Sequence, residues 1–176
     1  IQIDVDKEKT IASDLKIVAM PSLVVFKGKE DEVDRTLGFQ DGEELISWLT
    51  GINSGVTSLD KIQQQLETVK GKGGEKELDA RYELARAQFQ ARRYADCQEN
   101  FVWLWQNMAK ISPALKLVRL TMLPEEISEL VAKYPAAKVR FGKLRDEVEL
   151  TNLDDWITLN HALGDDSLSF AWFEKA

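Results

Sequence analysis

Cysteine and histidine each occur once in the 176 residues, as Cys97 and His161. A single cysteine excludes an intramolecular disulfide, a CxxC redox pair and a cysteine-rich zinc site. A single imidazole leaves too few ligands for a zinc site of the usual His/Cys type, and any catalytic dyad or triad would have to be built on it. Long apolar runs are also missing. The longest, Ile17 to Phe26, covers about ten residues and contains Pro21, against the roughly 20 that a membrane helix needs. No basic segment followed by an apolar stretch opens the chain, so no signal peptide is recognised. Excess positive charge is missing too. The formal net charge is −7, and phosphate binding requires a concentrated basic surface. What is present is 44% hydrophobic and 30% charged residues, the composition of a globular chain rather than a disordered one. The expectation is a cytoplasmic protein with no metal, no cofactor, no membrane segment and no nucleic-acid partner.

Charge divides unevenly. Residues 1–54 hold 6 basic and 11 acidic side chains, a balance of −5, and residues 55–176 hold 17 and 19, a balance of −2. Arg81, Arg86, Arg92 and Arg93 cluster, but Glu77, Asp79 and Glu83 lie among them, as on a solvated helix face.

The periodicities point to two kinds of structure. Ile1 to Val5 alternates apolar and polar, which predicts a half-buried strand. Lys7 to Lys16 is a short helical or turn segment. Leu23-Val-Val-Phe26 is a continuous apolar run, predicting a strand buried on both faces. Lys27 to Glu32 forms a charged turn, and Val33 to Leu37 a more polar strand at a sheet edge. Asp41 and Glu44 have the spacing of a capping box. Leu45, Trp48, Leu49 and Ile52 then follow at helical spacing, so one face packs on apolar neighbours. Thr57 or Ser58 caps a further helix bearing Leu59, Ile62, Leu66 and Val69. Lys70 to Glu75 contains three glycines and no apolar residue, and reads as a linker.

Beyond it the chain reads as helical throughout. Glu75–Ala91 and Tyr94–Lys110 make a pair broken at Arg92-Arg93. Pro113, Pro124 and Pro135 recur every 11 residues, and proline is favoured at the first helical position. Three short helices are therefore predicted, the first capped by Ser112. The third carries Ala137, Phe141, Leu144 and Val148 on one face. Asn152–Leu163 is a helix ended by Gly164. Asp165 or Asp166 starts the last, which bears Leu168, Ala171 and Trp172. The pairs Glu125-Glu126 and Asp154-Asp155 read as acids near helix starts.

The stretch Val18-Ala-Met-Pro-Ser-Leu-Val-Val-Phe-Lys27 resembles the thioredoxin-family segment V-x-x-I-P-T-L-x-x-F-K. The likeness continues in register: Ile1 to Asp6 is similar to the strand before the third helix of that fold, and Leu37-Gly-Phe-Gln40 to the turn opening its final helix. It covers about 54 residues and implies a partial thioredoxin-like fold, strand-helix-strand-strand-helix, over 1–54. One residue more than the family's usual spacing separates Phe26 from Gly38. The resemblance further implies a cis bond at Pro21, which turns residue 20 toward an extended peptide. Met20, Pro21, Gly38 and Phe39 would then form an apolar peptide-binding patch. Met20 stands where Ile or Thr is more usual, and its flexible thioether suits adaptable binding or gap filling. The family's dithiol strand, first strand and long helix have no counterpart here. The expectation is a longer parent protein whose N-terminal segment was removed, or one completed by another chain.

Residues 80–108 resemble a single tetratricopeptide repeat. Leu84 and Ala85 occupy packing positions of its first helix, Tyr94 follows at the turn, and Cys97, Phe101 and Leu104 share a face of the second. Gln88 departs from the pattern, where an aromatic is expected, and Pro113 comes four residues late. A lone repeat cannot cover its own apolar face, so Pro113–Ala176 is expected to supply divergent stacking helices or a cap. The organisation expected is α/β plus all-α: 1–54 the partial thioredoxin-like domain, 55–74 a helix and glycine-rich linker, 75–176 a tetratricopeptide-like helical domain. Cys97 reads as a buried small hydrophobe and His161 as a surface or helix-capping residue. Trp103 and Trp105, two apart, cannot share a helix face.

This order, thioredoxin-like then tetratricopeptide-like, is similar to that of chaperedoxin-type proteins. It implies a protein-interaction or chaperone-like module whose partners are other proteins or unfolded polypeptides, and a homo-oligomer is a further possibility. Two alternatives stay open. One is part of a thiol–disulfide oxidoreductase in cell redox homeostasis, its CxxC lying upstream of Ile1. The other is a structural scaffold. No catalytic residue is assigned within this chain.

Overall fold

The structure, a computed structural model, describes residues 2–15, 17, 19–28, 31–148 and 151–175. Ile1, Lys16, Val18, Lys29, Glu30 and Ala176, which enter the readings above, lie outside the described residues, as do Glu149 and Leu150. The chain is mixed, with a two-stranded antiparallel sheet followed by helices. It divides into two compact units, Ile1–Lys61 and Ile62–Ala176. The division falls inside a helix rather than in the glycine-rich stretch at 70–75.

In the first unit, α1 (Lys9–Asp14) has no side-chain cap and no buried residue. β1 (Ser22–Lys27) and β2 (Asp31–Leu37) pair antiparallel, Ser22 opposite Leu37 and Val25 opposite Asp34. The ladder then slips, with Phe26 opposite Glu32, leaving Val33 as an extra residue on β2, as in a β-bulge. α2 (Gly42–Asn53) starts on the expected capping box: Asp41 Oδ1 accepts from the Glu44 N–H at 2.8 Å, and Glu44 Oε2 accepts from the Asp41 N–H at 2.9 Å. α3 (Ser58–Val69) follows, and Thr57 rather than Ser58 does the capping. Thr57 Oγ1 accepts from the Asp60 N–H at 3.2 Å, while Asp60 Oδ2 accepts from the Thr57 N–H at 2.8 Å.

Two expectations fail in this unit. Gln2–Val5 is not a strand, since its residues are irregular or in a turn. Alternating polarity fits a strand, but a strand persists only where backbone groups find a ladder partner, and β1 and β2 pair with each other. The order seen among the described residues is therefore helix-strand-strand-helix. Leu23 to Phe26 is half-buried rather than enclosed. A two-stranded hairpin lacks the layers that bury both faces of a central strand.

The second unit is helical: α4 (Glu75–Gln90), α5 (Tyr94–Ile111), a 3-10 turn (Pro113–Leu115), α6 (Lys116–Lys133), α7 (Ala136–Val148), α8 (Leu153–Ala162) and α9 (Asp166–Phe173). α4 packs on α5, α5 on α6, α6 and α7 on α8, and α8 on α9. The predicted inward positions Leu84, Ala85, Cys97, Phe101, Leu104, Ala137, Phe141 and Leu144 are buried. Trp105 faces inward and Trp103 is half-buried at its edge. Arg92 has φ +60° and closes α4, a left-handed conformation unusual for a side-chain-bearing residue.

Proline placement needs correcting. Pro113 opens the 3-10 turn and Pro135 precedes α7, but Pro124 lies inside α6. An interior proline costs about 3 kcal/mol. The adjoining face fully buries Leu123, Ile127 and Leu130, each contributing about 1.5–3 kcal/mol, so packing keeps the helix continuous. Glu125 and Glu126 are consequently mid-helix, not at a start. Ser112 does not cap; its hydroxyl donates to Glu75 Oε1 at 3.0 Å.

Gly71 and Gly73 are tied down rather than free, both N–H groups donating to Glu77 Oε2 at 2.9 and 3.0 Å. Glu77 Oε1 accepts from Arg81 Nε at 3.0 Å, Arg81 Nη1 reaches Asn100 Oδ1 at 3.2 Å, and Asn100 Nδ2 donates to Gln88 Oε1 at 2.8 Å. The Gln88 departure thus has a buried polar partner. Asp154 sits in the first turn of α8, but Asp155 turns inward to pair with buried Arg119, which stacks on Trp105 at 4.4 Å. In α9 it is Ser169 that is buried, bonded to Asn160 Nδ2 at 3.0 Å, while Leu168 and Ala171 are exposed. Among the described residues no helix is long and apolar enough to cross a membrane.

Candidate peptide-binding site

The start of β1 and the end of β2 bring the four expected site residues together. The ladder that pairs Ser22 with Leu37 continues one step, the Gly38 N–H donating to the Pro21 carbonyl at 2.8 Å. Gly38 sits at φ +85°, where a residue without Cβ is strongly favoured. The Met20–Pro21 peptide bond is cis, and the Ser22 hydroxyl donates to the Ala19 carbonyl. One step further along the register, Met20 and Phe39 stand at the same open end of the hairpin. Met20 is 66% exposed, Phe39 82%, and neighbouring Leu37 42%. Large apolar side chains usually cluster out of water, so three at one hairpin end make an exposed apolar patch.

The same unit has an open recess of about 460 Å³ lined by Thr36, Gln40, Glu43, Glu44, Ser47, Trp48, Ser58 and Lys61. Gln40 directly follows Phe39 in the chain, whereas Thr36 of the recess and Leu37 of the patch alternate on β2 and so face opposite sides of the hairpin. Asp34 ties elements around it together. Oδ2 of that carboxylate accepts from Trp48 Nε1 at 2.7 Å, the Ser58 N–H at 2.8 Å and the Ser58 hydroxyl at 2.8 Å. One carboxylate oxygen with three donors orders β2, α2 and the start of α3 together. On a neighbouring β2 position, Arg35 Nη2 donates to the Leu15 carbonyl at 3.0 Å and pairs with Glu32 at 2.5 Å.

The other chemistry-bearing side chains serve structure. Cys97 is fully buried, and burial, helped by the charge of Glu126, pushes its thiol up to about 12. It is therefore not a ready thiolate. Tyr82 is likewise raised to about 12 by burial and by Glu126, which accepts from its hydroxyl at 3.0 Å. Arg86 pairs with the same Glu126 at 2.7 Å. His161 is exposed, with Nδ1 3.1 Å from Asp166. Among the described residues no three His, Cys, Asp or Glu side chains are placed to hold a metal ion.

Sequence reasoning found the patch through the thioredoxin resemblance but missed the recess. Glu43 and Glu44 read only as a helix start, and Asp34 only as part of an edge strand. The available signal was Asp34 in a strand, two residues from Thr36 and so on the same face. Comparison of the chain with family models, with curated proteins and with solved structures gives no match in any of the three.

Proposed function

We propose that this chain is a protein-interaction module of chaperone-like type that binds extended polypeptides at the Met20, Pro21, Gly38 and Phe39 surface. The observation that carries this reading is the placement of Met20 and Phe39, both mainly in water, at one end of a hairpin registered by the Gly38–Pro21 hydrogen bond. Such a patch supplies buried apolar contact to a partner, and the thioether of Met20 adapts to different side chains. The helical unit also exposes Leu117 and Met122 on α6 and Phe170 and Phe173 on α9, further apolar contacts for an unfolded client. The thioredoxin-like and tetratricopeptide-like resemblances belong to the same reading. Cys97 itself has no part in the reading, because it is buried with its thiol pKa raised.

The test is capture of a labelled, permanently unfolded polypeptide, followed by fluorescence anisotropy. Met20→Asp and Phe39→Asp each place a charge where apolar contact is needed and are expected to weaken capture about tenfold or more, the scale of an interface hot spot. Both positions are exposed, so thermal midpoints should stay near the parent value. Unchanged capture in both variants would remove the patch from the reading.

A further inference from the structure

The two strands of the hairpin differ in how their outer edges are guarded. Among the described residues β1 and β2 pair only with each other, and an open strand edge is a template for another chain. β2 carries the usual protections: Asp31, Glu32, Asp34 and Arg35 along its length, and the extra residue Val33 as a bulge. β1 has none of these from Ser22 to Phe26, and its run Leu23-Val-Val-Phe26 has the character of a central strand. The register tells which of its backbone groups are open. The Gly38 N–H bonded to the Pro21 carbonyl makes those two residues a hydrogen-bonded pair. Alternation then directs Leu23 and Val25 toward Thr36 and Asp34, and turns the N–H and C=O of Ser22, Val24 and Phe26 away from β2. Those three residues make no backbone bond to another element among the described residues.

We infer that the open edge of β1 pairs with the same edge of a second copy of this chain. The two strands run antiparallel about a two-fold axis at Val24. The sequence of β1 is complementary to itself in that register. Val24 stands opposite Val24, Ser22 opposite Phe26, and Leu23 opposite Val25, apolar or neutral pairs of the kind that stabilise sheets. Lys27 falls opposite Pro21, so no charge meets a like charge, and the proline's missing N–H lies on the β2 side. The same pairing of two β2 strands would bring their acidic side chains together. The result is a four-stranded sheet with β1 strands in the middle and the polar, bulged β2 strands as its guarded edges. The interface is isologous, as closed dimers require. One six-residue strand per copy is small beside the roughly 1,200–2,000 Å² of standard interfaces, so the dimer should depend on concentration. The Ile1–Lys61 unit holds 7 basic and 12 acidic side chains, a balance of −5. Two such units repel, and salt should strengthen the pairing.

Sedimentation velocity on the full chain, from low micromolar to submillimolar concentration, tests this. A monomer–dimer equilibrium is expected, tighter at high salt. Val24→Pro deletes an N–H that points away from β2, so the hairpin ladder keeps its bonds while the new ladder loses its centre. It should raise the dimer dissociation constant about tenfold or more. Val24→Lys, which sets like charges across the axis, should do the same without altering the backbone. Amide protection of β2 and α2 checks that both variants keep the hairpin. Under mild oxidation Val24→Cys should form a disulfide-linked dimer, because the Cα atoms of a hydrogen-bonded pair stand about 5.5 Å apart, within the reach of a disulfide. Val25→Cys, two residues out of register with its own counterpart, should cross-link far less. A chain that stays monomeric throughout, or a dimer undiminished by both Val24→Pro and Val24→Lys, overturns the inference. So does a dimer that weakens with salt, or equal cross-linking at positions 24 and 25. A monomeric parent whose capture of unfolded polypeptide falls in Val24→Pro would assign the edge to a client strand instead and likewise overturn it.

Discussion

Within the Ile1–Lys61 unit, Trp48 is the one buried hydrophobic side chain among the described residues, while Ile11, Met20, Leu37, Phe39, Ile46 and Leu49 stand exposed. Within Ile62–Ala176, Leu104, Leu123, Ile127, Leu130, Phe141 and Leu159 are all fully buried, and Phe101 and Leu84 nearly so. The apolar residues of the first unit are no poorer in kind; Leu23 to Phe26 would suit any core. They differ in having one antiparallel neighbour strand and short helices to pack on, and small units bury a smaller fraction of their surface. Order in the first unit instead depends on polar devices: the Asp41–Glu44 capping box, the Thr57–Asp60 cap and the Asp34 hub. Apolar surface left in water is surface still able to bind.

The sharpest break of this contrast is a cavity in the second unit. Phe101→Ala removes a nearly fully buried ring from α5 and is expected to lower the unfolding free energy by about 3–5 kcal/mol, read as the urea midpoint of the helical signal. Little change would mean that the helical packing is loose and the contrast overstated.

The distinction between the units was only partly legible in the sequence. Local signals transferred well. The Asp41–Glu44 spacing, the glycine after α8 and the 3.6-residue period of α5 each depend on residues within a turn or two of one another. Signals depending on distant partners did not. Gln2–Val5 has strand polarity, yet a strand needs a neighbour that no local pattern supplies. Pro124 reads as a helix start until the burial of Leu123, Ile127 and Leu130 is known. Asp155 and Arg119 lie 36 residues apart, so their pairing left no spacing to read. Of the candidate site, Met20, Pro21, Gly38 and Phe39 were nameable from resemblance alone, and their exposure was not. The recess draws on β2, α2 and α3, and such a gathering has no linear signature.

The polar ordering of the first unit can be tested with a smaller perturbation. Asp34→Ala strips three donors of their shared acceptor: Trp48 Nε1, the Ser58 N–H and the Ser58 hydroxyl. Trp48 Nε1 keeps its second acceptor, Ser58 Oγ at 3.1 Å, but leaving the Ser58 donors unsatisfied costs about 1–3 kcal/mol. Hydrogen exchange should show that loss in the opening free energy of amides in β2 and α2, with the α5 amides unchanged. Protection of β2 and α2 unchanged from the parent would mean that this unit is held by packing after all.

The smallest expected effect concerns Glu77, one of the buried polar ties of the second unit. Burial pushes its carboxyl pKa up, but the Gly71 and Gly73 N–H groups and Arg81 outweigh that and hold it below its ordinary 4.5. A carboxyl whose folded pKa lies below its unfolded value favours the folded state while ionised. Its contribution is therefore complete above about pH 4.5 and is lost as pH falls through the lower, folded value. Glu77→Gln keeps one oxygen acceptor but cannot titrate. Its urea midpoint should lie below the parent's at pH 7, and the gap should close as pH falls toward 3. Asp165, also held low by Lys138 and Arg145 despite partial burial, leaves a residual acid sensitivity in both proteins, so the readout is the difference between them. A gap that stays constant with pH would assign the Glu77 contribution to shape and neutral hydrogen bonding. The polar devices would then separate the two units less than the buried carbon does.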